Sequence, residues 1–341
     1  MPSYTLLELG DESMVRRLAE RIRSILNLAR PQDWRDTSFS LEKAQVCAEL
    51  CAIVYEEIRE YEIKKASRIH LFASREFREL LKAGKPNHIL PSLAEGGQDG
   101  DQFFLVPGRY AVILGVKMQN VIFLAIRGTV LLKLWDWKAN IDARRLDIHA
   151  DGKFLHKHNP GALIQEEEMY FHRGFFEGIA PQFPSIIDQI GKLKPSADVS
   201  IVWTGHSLGG AMAAIGNAIT DLDYEYSGLR SREGRHQNKN VAAYTFGMPR
   251  YGSLGAVCYF SNPYHIYDER DLVPTLPLRS MGFVDSAREY VRLRSGMIES
   301  AERTDTLGAL GHLLRVRSSL KAHFIEGYAD SIASALGGSR P

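Results

Sequence analysis

A serine set between glycines, Gly205-His206-Ser207-Leu208-Gly209, follows the mostly apolar run 199–204 and precedes a helical pattern over 208–222. A strand that turns into a helix through G-x-S-x-G puts its serine on a sharp bend, where glycines remove side chains that would clash. The bend presents the Ser207 hydroxyl at the carboxyl edge of a sheet, and the following helix aims amide hydrogens at the same place. The chemistry this permits is nucleophilic attack, for which a hydroxyl needs a base and the base an orienting acid. The alternative is an ordinary tight strand–helix turn, which the flanking strand and helix patterns disfavour.

An elbow of this kind resembles that of the α/β-hydrolases, and the resemblance implies that the acid and then the histidine follow the serine along the chain. His206 is set aside as base because its side chain diverges from that of its neighbour on the bend. His236 sits in a polar loop, His265 lies within a strand run, and His312 reads as a surface or packing histidine. His323 is the favoured base, since it opens a helix whose apolar face is Phe324, Ile325, Tyr328 and Ile332. For the acid, the segment 264–274 leaves a strand for a loop, and the residues alone leave Asp268 and Asp271 equally placed. Asp271 has the apolar anchor Leu272-Val273-Pro274 behind it, whereas Asp268 is nearer the strand end.

These residues need a frame to hold them. Met14, Val15, Leu18, Ile22, Ile25 and Leu26 recur at helical spacing, and Arg30-Pro31 ends that helix. A second helix is predicted over 40–61, with Ser40 as cap and Glu42 in its first turn. Short β-branched and aromatic runs at 103–106, 110–116 and 121–126 read as strands, with further strands near 199–204, 241–246 and 264–267. Helical patterns cover 176–190, weakened by Pro181 and Pro184, then 208–222 and 321–335. Strands alternating with helices predict an α/β fold with a mostly parallel central sheet.

Composition narrows the function. Of 341 residues, 45% are hydrophobic and 24% charged, which excludes a disordered or low-complexity chain. Lys and Arg number 42 against 41 Asp and Glu, so no basic footprint points to nucleic acid. No apolar stretch is long enough for a transmembrane segment, and the charged residues Asp11, Glu12, Arg16, Arg17 and Glu20 interrupt any leader-like run. The three cysteines are odd in number, and Cys47 and Cys51 lie four apart on one helix, so reduced thiols and a cytoplasmic setting are expected. They make poor zinc ligands, and neither a metal nor an organic cofactor is expected.

The motifs together resemble the class 3, or fungal-type, lipases. Gly205-His206-Ser207-Leu208-Gly209-Gly210 is similar to the serine motif of that family. In order along the chain, Arg127-Gly128-Thr129, His172-Arg173-Gly174-Phe175, Thr245-Phe246-Gly247-Met248-Pro249-Arg250 and Asp271-Leu272-Val273-Pro274 resemble four more of its segments. The resemblance implies an α/β-hydrolase domain over 40–341, with residues 1–39 as an N-terminal helical extension. It implies Ser207 as nucleophile, Asp271 as acid in preference to Asp268, and His323 as base, with Thr129 and Leu208 forming the oxyanion hole. His172 precedes the serine and falls outside the triad order, which makes it structural.

The resemblance also places a lid after Thr129. Val130, Leu131, Leu132, Leu134 and Trp135 are apolar, and a flap made of them would meet a lipid surface on opening. A buried strand–helix connection is the plain alternative. The expected reaction is hydrolysis of lipid esters, with a phospholipase A1 or a short-chain or feruloyl esterase as alternatives using the same groups. A non-catalytic lipid-binding relative, or a scaffold docking through residues 1–39, would have no use for all three groups together.

Overall fold

The computed structural model describes residues 12–64, 95–108, 111–127, 145–148, 169–193, 199–222, 241–260, 263–293, 296–301 and 321–340. Helices α1 (Glu12–Ala29) and α2 (Leu41–Lys64) precede a sheet that has eight strands among those residues. β1 (Gln102–Pro107), β2 (Val112–Met118) and β3 (Val121–Arg127) form an antiparallel meander. From β3 the sheet runs parallel through β6 (Ser200–His206), β7 (Val241–Phe246), β8 (Tyr264–Asp268) and β9 (Arg288–Arg292). β10 (Ile298–Ser300) closes that edge antiparallel, and β4 (Arg145–Asp147) with β5 (Tyr170–His172) makes a separate ribbon. This is the α/β-hydrolase fold, with the mostly parallel sheet that the alternating pattern predicts.

Strand period decides which core each side chain joins. In β3, Val121, Phe123 and Ala125 face one layer, and Ile122, Leu124 and Ile126 face the other. The first layer is α1, α2 and α7 (Ile325–Ala335). Leu18, Ile22, Ile25 and Leu26 of α1 are buried in it, and Trp34 meets the Phe123 ring edge-on at 4.7 Å. The helical segment before residue 40 thus fills the core on this face of the sheet. The second layer holds α3 (Arg173–Ile179), α4 (Phe183–Lys192), α5 (Leu208–Leu222) and α6 (Leu254–Tyr259).

Two expected helices differ in their ends. The pattern over 176–190 is two helices joined by a 3₁₀ turn at Ala180–Gln182, because Pro181 and Pro184 each sit at the first turn of a helical segment and cannot lie inside one. The last helix begins at Ile325 and not at Lys321, since Phe324 takes an extended conformation and restarts the chain as N-cap. His323 therefore stands just outside α7, a shift that matters for the site.

Candidate active site

The site is built on the carboxyl ends of β6, β7 and β8. Ser207 follows β6 with φ of +58°, a left-handed conformation that costs a non-glycine residue roughly 1–2 kcal/mol. The cost is supported by its surroundings. The Ser207 amide donates to the Phe246 carbonyl at 2.9 Å, and the Gly210 amide donates back to the Ser207 carbonyl at 2.9 Å. A Cβ on Gly205 would sit 2.2 Å from the Gly209 carbonyl oxygen, so the bend admits only glycine there.

The structure brings Ser207, His323 and Asp271 together. Ser207 Oγ lies 2.9 Å from His323 Nε2, and His323 Nδ1 lies 2.6 Å from Asp271 Oδ2. All three side chains are buried. Asp271 is oriented by the Val273 amide, which donates to Oδ1 at 2.9 Å, and by the Tyr328 hydroxyl, which donates to Oδ2 at 2.9 Å. Tyr328 also accepts from the Asp268 amide at 3.0 Å. Burial and the neighbouring Asp271 charge push the Tyr328 phenol well above its ordinary pKa, so it remains a donor.

Gly247 is a second position that a side chain cannot fill. Its φ is +53°, and a Cβ there would approach Asp271 Oδ2 to 2.8 Å and His323 Nδ1 to 3.2 Å. The turn that carries it is anchored by Met248, whose amide donates to His265 Nε2 at 3.0 Å. Because that nitrogen accepts, the His265 proton sits on Nδ1 and points at Glu289 Oε1, 3.2 Å away. His265 therefore has a bracing task that its position in a strand run did not reveal.

Asp268 is placed differently. Its carboxylate takes Arg270 Nε at 2.9 Å and Arg292 Nε at 2.6 Å and is fully buried. Burial pushes its pKa up, but the hydrogen bonds and charges of Arg270 and Arg292 outweigh this and hold it below the usual carboxylate range. His172 lies before α3 with its ring stacked on Phe175 at 4.0 Å, and burial lowers its pKa to about 4. His206 sits beside the nucleophile with its ring against His323.

Leu208 is the first residue of α5, and its amide precedes the first helical bond, which Gly210 makes to Ser207. An amide in that place is available to a developing negative charge. Thr129, the lid candidates Val130, Leu131, Leu132, Leu134 and Trp135, and His312 lie outside the described residues. No described helix is long and apolar enough to cross a membrane.

Fold and constellation define an α/β-hydrolase with a Ser-His-Asp site. The segment of residues 123–281 matches the model of the family described as lipase (class 3). It contains Ser207 and Asp271, and His323 lies beyond it. A lipase from Rhizomucor miehei is 35% identical over 127 residues, 35% of this chain and 32% of the relative. The secreted mono- and diacylglycerol lipase A of Penicillium cyclopium is 27% identical over 175 residues, 50% of this chain and 48% of that protein. These matches thus span only about a third to a half of the relatives' own length. Lipase II from Rhizopus niveus, a solved structure, covers 80% of this chain and 93% of its own at 19% identity, with a TM-score of 0.48.

Proposed function

We propose that the protein is a serine carboxylic ester hydrolase that acts on lipid esters, an acylglycerol lipase, through an acyl-enzyme on Ser207. The observation that carries this is the pair of contacts on His323: 2.9 Å from Nε2 to Ser207 Oγ and 2.6 Å from Nδ1 to Asp271 Oδ2. Ser207 Oγ attacks the ester carbonyl while His323 Nε2 takes its proton. Asp271 holds the Nδ1 proton and stabilises the imidazolium that forms. The amide of Leu208, with Thr129, holds the tetrahedral oxyanion, each such donor being worth roughly a hundredfold or more in rate. Collapse expels the alcohol with the proton from His323, and water then repeats the sequence on the acyl-enzyme.

Lipid esters are supported by the printed names of the relatives, lipase and mono- and diacylglycerol lipase, and by the apolar composition of residues 130–135. In this reading those residues are a lid that opens at a lipid interface. Activity should rise sharply once a substrate such as tributyrin exceeds its solubility, and Leu131→Ser with Leu134→Ser should blunt the rise. A flat response across the solubility limit would speak for a fixed connection instead.

The activity itself is tested by hydrolysis of p-nitrophenyl esters. Ser207→Ala should lower kcat by about a thousandfold or more while the unfolding midpoint is retained. Unchanged turnover in that variant would remove Ser207 from the mechanism. A panel of acyl lengths and head groups, phospholipids and feruloyl esters included, then separates a lipase from a phospholipase A1 or an esterase of polar substrates.

A further inference from the structure

Resting on the hydrolase reading, we propose that Tyr55 and His206 are positioning residues for the base: a hydrogen-bonded relay from α2 that grips His323 by its backbone carbonyl. The restart of the last helix is what makes this grip available. The Gly327 amide donates to the Phe324 carbonyl at 3.1 Å, so the first turn of α7 leaves out the His323 carbonyl. That oxygen is met by His206 Nε2 at 2.5 Å.

A carbonyl only accepts, so His206 carries its proton on Nε2. In the neutral ring Nδ1 is then an acceptor, and it faces the Tyr55 hydroxyl at 3.2 Å. The same hydroxyl lies 3.4 Å from the His206 carbonyl, so Tyr55 touches both the side chain and the backbone of the residue before the nucleophile. Burial, and then the adjacent His323, hold the His206 imidazole well below its ordinary pKa, which keeps it neutral.

The consequence is a two-point clamp from the elbow. Ser207 Oγ meets the ring of His323 at 2.9 Å, and its neighbour His206 meets the carbonyl of the same residue. A histidine outside any helix is thereby held at both ends, which limits how far Nε2 can drift from Oγ. Misplacing a reacting group by an ångström can cost about a hundredfold in rate, so a grip on the backbone of the base bears on chemistry and not on substrate affinity. The Arg127 guanidinium at the end of β3 lies 5.2 Å from the Tyr55 ring centroid, so Tyr55 of α2 also meets the strand that leads to Thr129. On the bend His206 diverges from the nucleophile and cannot be its base, and the clamp gives it this other task.

The test uses the full chain and the variants His206→Phe, His206→Gln and Tyr55→Phe. For each, the second-order rate of phosphonylation by a fluorophosphonate is measured beside p-nitrophenyl butyrate kinetics and the unfolding midpoint. His206→Phe should slow phosphonylation and kcat by about tenfold or more, with KM within about twofold of the wild type. His206→Gln should recover most of that loss, because its amide nitrogen replaces the Nε2 donor. Tyr55→Phe, which keeps the ring beneath Arg127, should cost about threefold in kcat, as loss of a single neutral hydrogen bond would.

Wild-type phosphonylation rates in a folded His206→Phe, no recovery in His206→Gln, or a wild-type rate in Tyr55→Phe would each overturn the relay. Should His206→Phe fail to fold, the two milder variants decide the matter. A wild-type chain that neither hydrolyses esters nor takes the phosphonate would instead overturn the hydrolase reading, and that result is seen before any variant is made.

Discussion

Two carboxylates three residues apart, at the end of β8 and in the turn that follows, illustrate how one residue type is given opposite work. Asp268 is closed by two guanidinium groups, from Arg270 and Arg292. Asp271 receives the Val273 amide, the Tyr328 hydroxyl and His323. Permanent cations neutralise the first, which leaves it little to offer a transient charge. The second is oriented by neutral donors, so in the proposed mechanism its negative charge remains for the imidazolium that would form on His323. Burial alone does not distinguish them, since both are buried. The sign of the partners does.

The largest expected effect lies on the Asp271 side. Asp271→Asn should lower kcat by about ten thousandfold, because an amide cannot hold His323 in the working tautomer, while the unfolding midpoint changes little. A loss under about tenfold would mean the charge at this position is not used. Asp268→Asn should invert the pattern. Leaving Arg292 buried without its charge partner should cost about 3–5 kcal/mol of stability by denaturant titration, with kcat of the folded protein within a few-fold of the wild type. A variant as inactive as Asp271→Asn and equally stable would erase the contrast.

Acid sensitivity follows from the same pair. Asp268 has a folded pKa below its unfolded value near 3.8, so its stabilising contribution is complete above that value. The contribution is lost as pH falls through the lower folded value. Acid-unfolding curves of Asp268→Asn should therefore be flatter there than those of the wild type, and parallel curves would contradict the assignment. Among the changes around these two carboxylates, the smallest effect is expected at Tyr328→Phe, which removes one donor from Asp271 and should lower kcat roughly fivefold, the rate equivalent of ~1 kcal/mol.

The contrast also marks what a sequence can disclose. The elbow is legible because its backbone requirement is written in residue types: Gly205 is forced by the Gly209 backbone, and a strand and a helix flank it. The sheet is legible for the same kind of reason, since alternation in β3 separates two cores. Asp268 and Asp271 are not separable from the residues alone, because the deciding partner Arg292 lies 24 residues on, in β9. Only resemblance to a family chose between them. The true start of α7 was hidden too, since Phe324 caps it with no side-chain hydrogen bond and nothing in its type announces a helix terminus. Nor does any local pattern tie Tyr55 to His206 across 151 residues.

The proposed mechanism turns on Ser207, activated through His323 and Asp271, forming a covalent acyl-enzyme. Its most direct test is rapid mixing of the full chain with p-nitrophenyl butyrate, acid quenching and peptide mass spectrometry. Under this mechanism a burst of nitrophenol and a butyryl group on the peptide that contains Ser207 are expected, both absent in Ser207→Ala. A butyryl group on another residue, or steady turnover by Ser207→Ala, would contradict it.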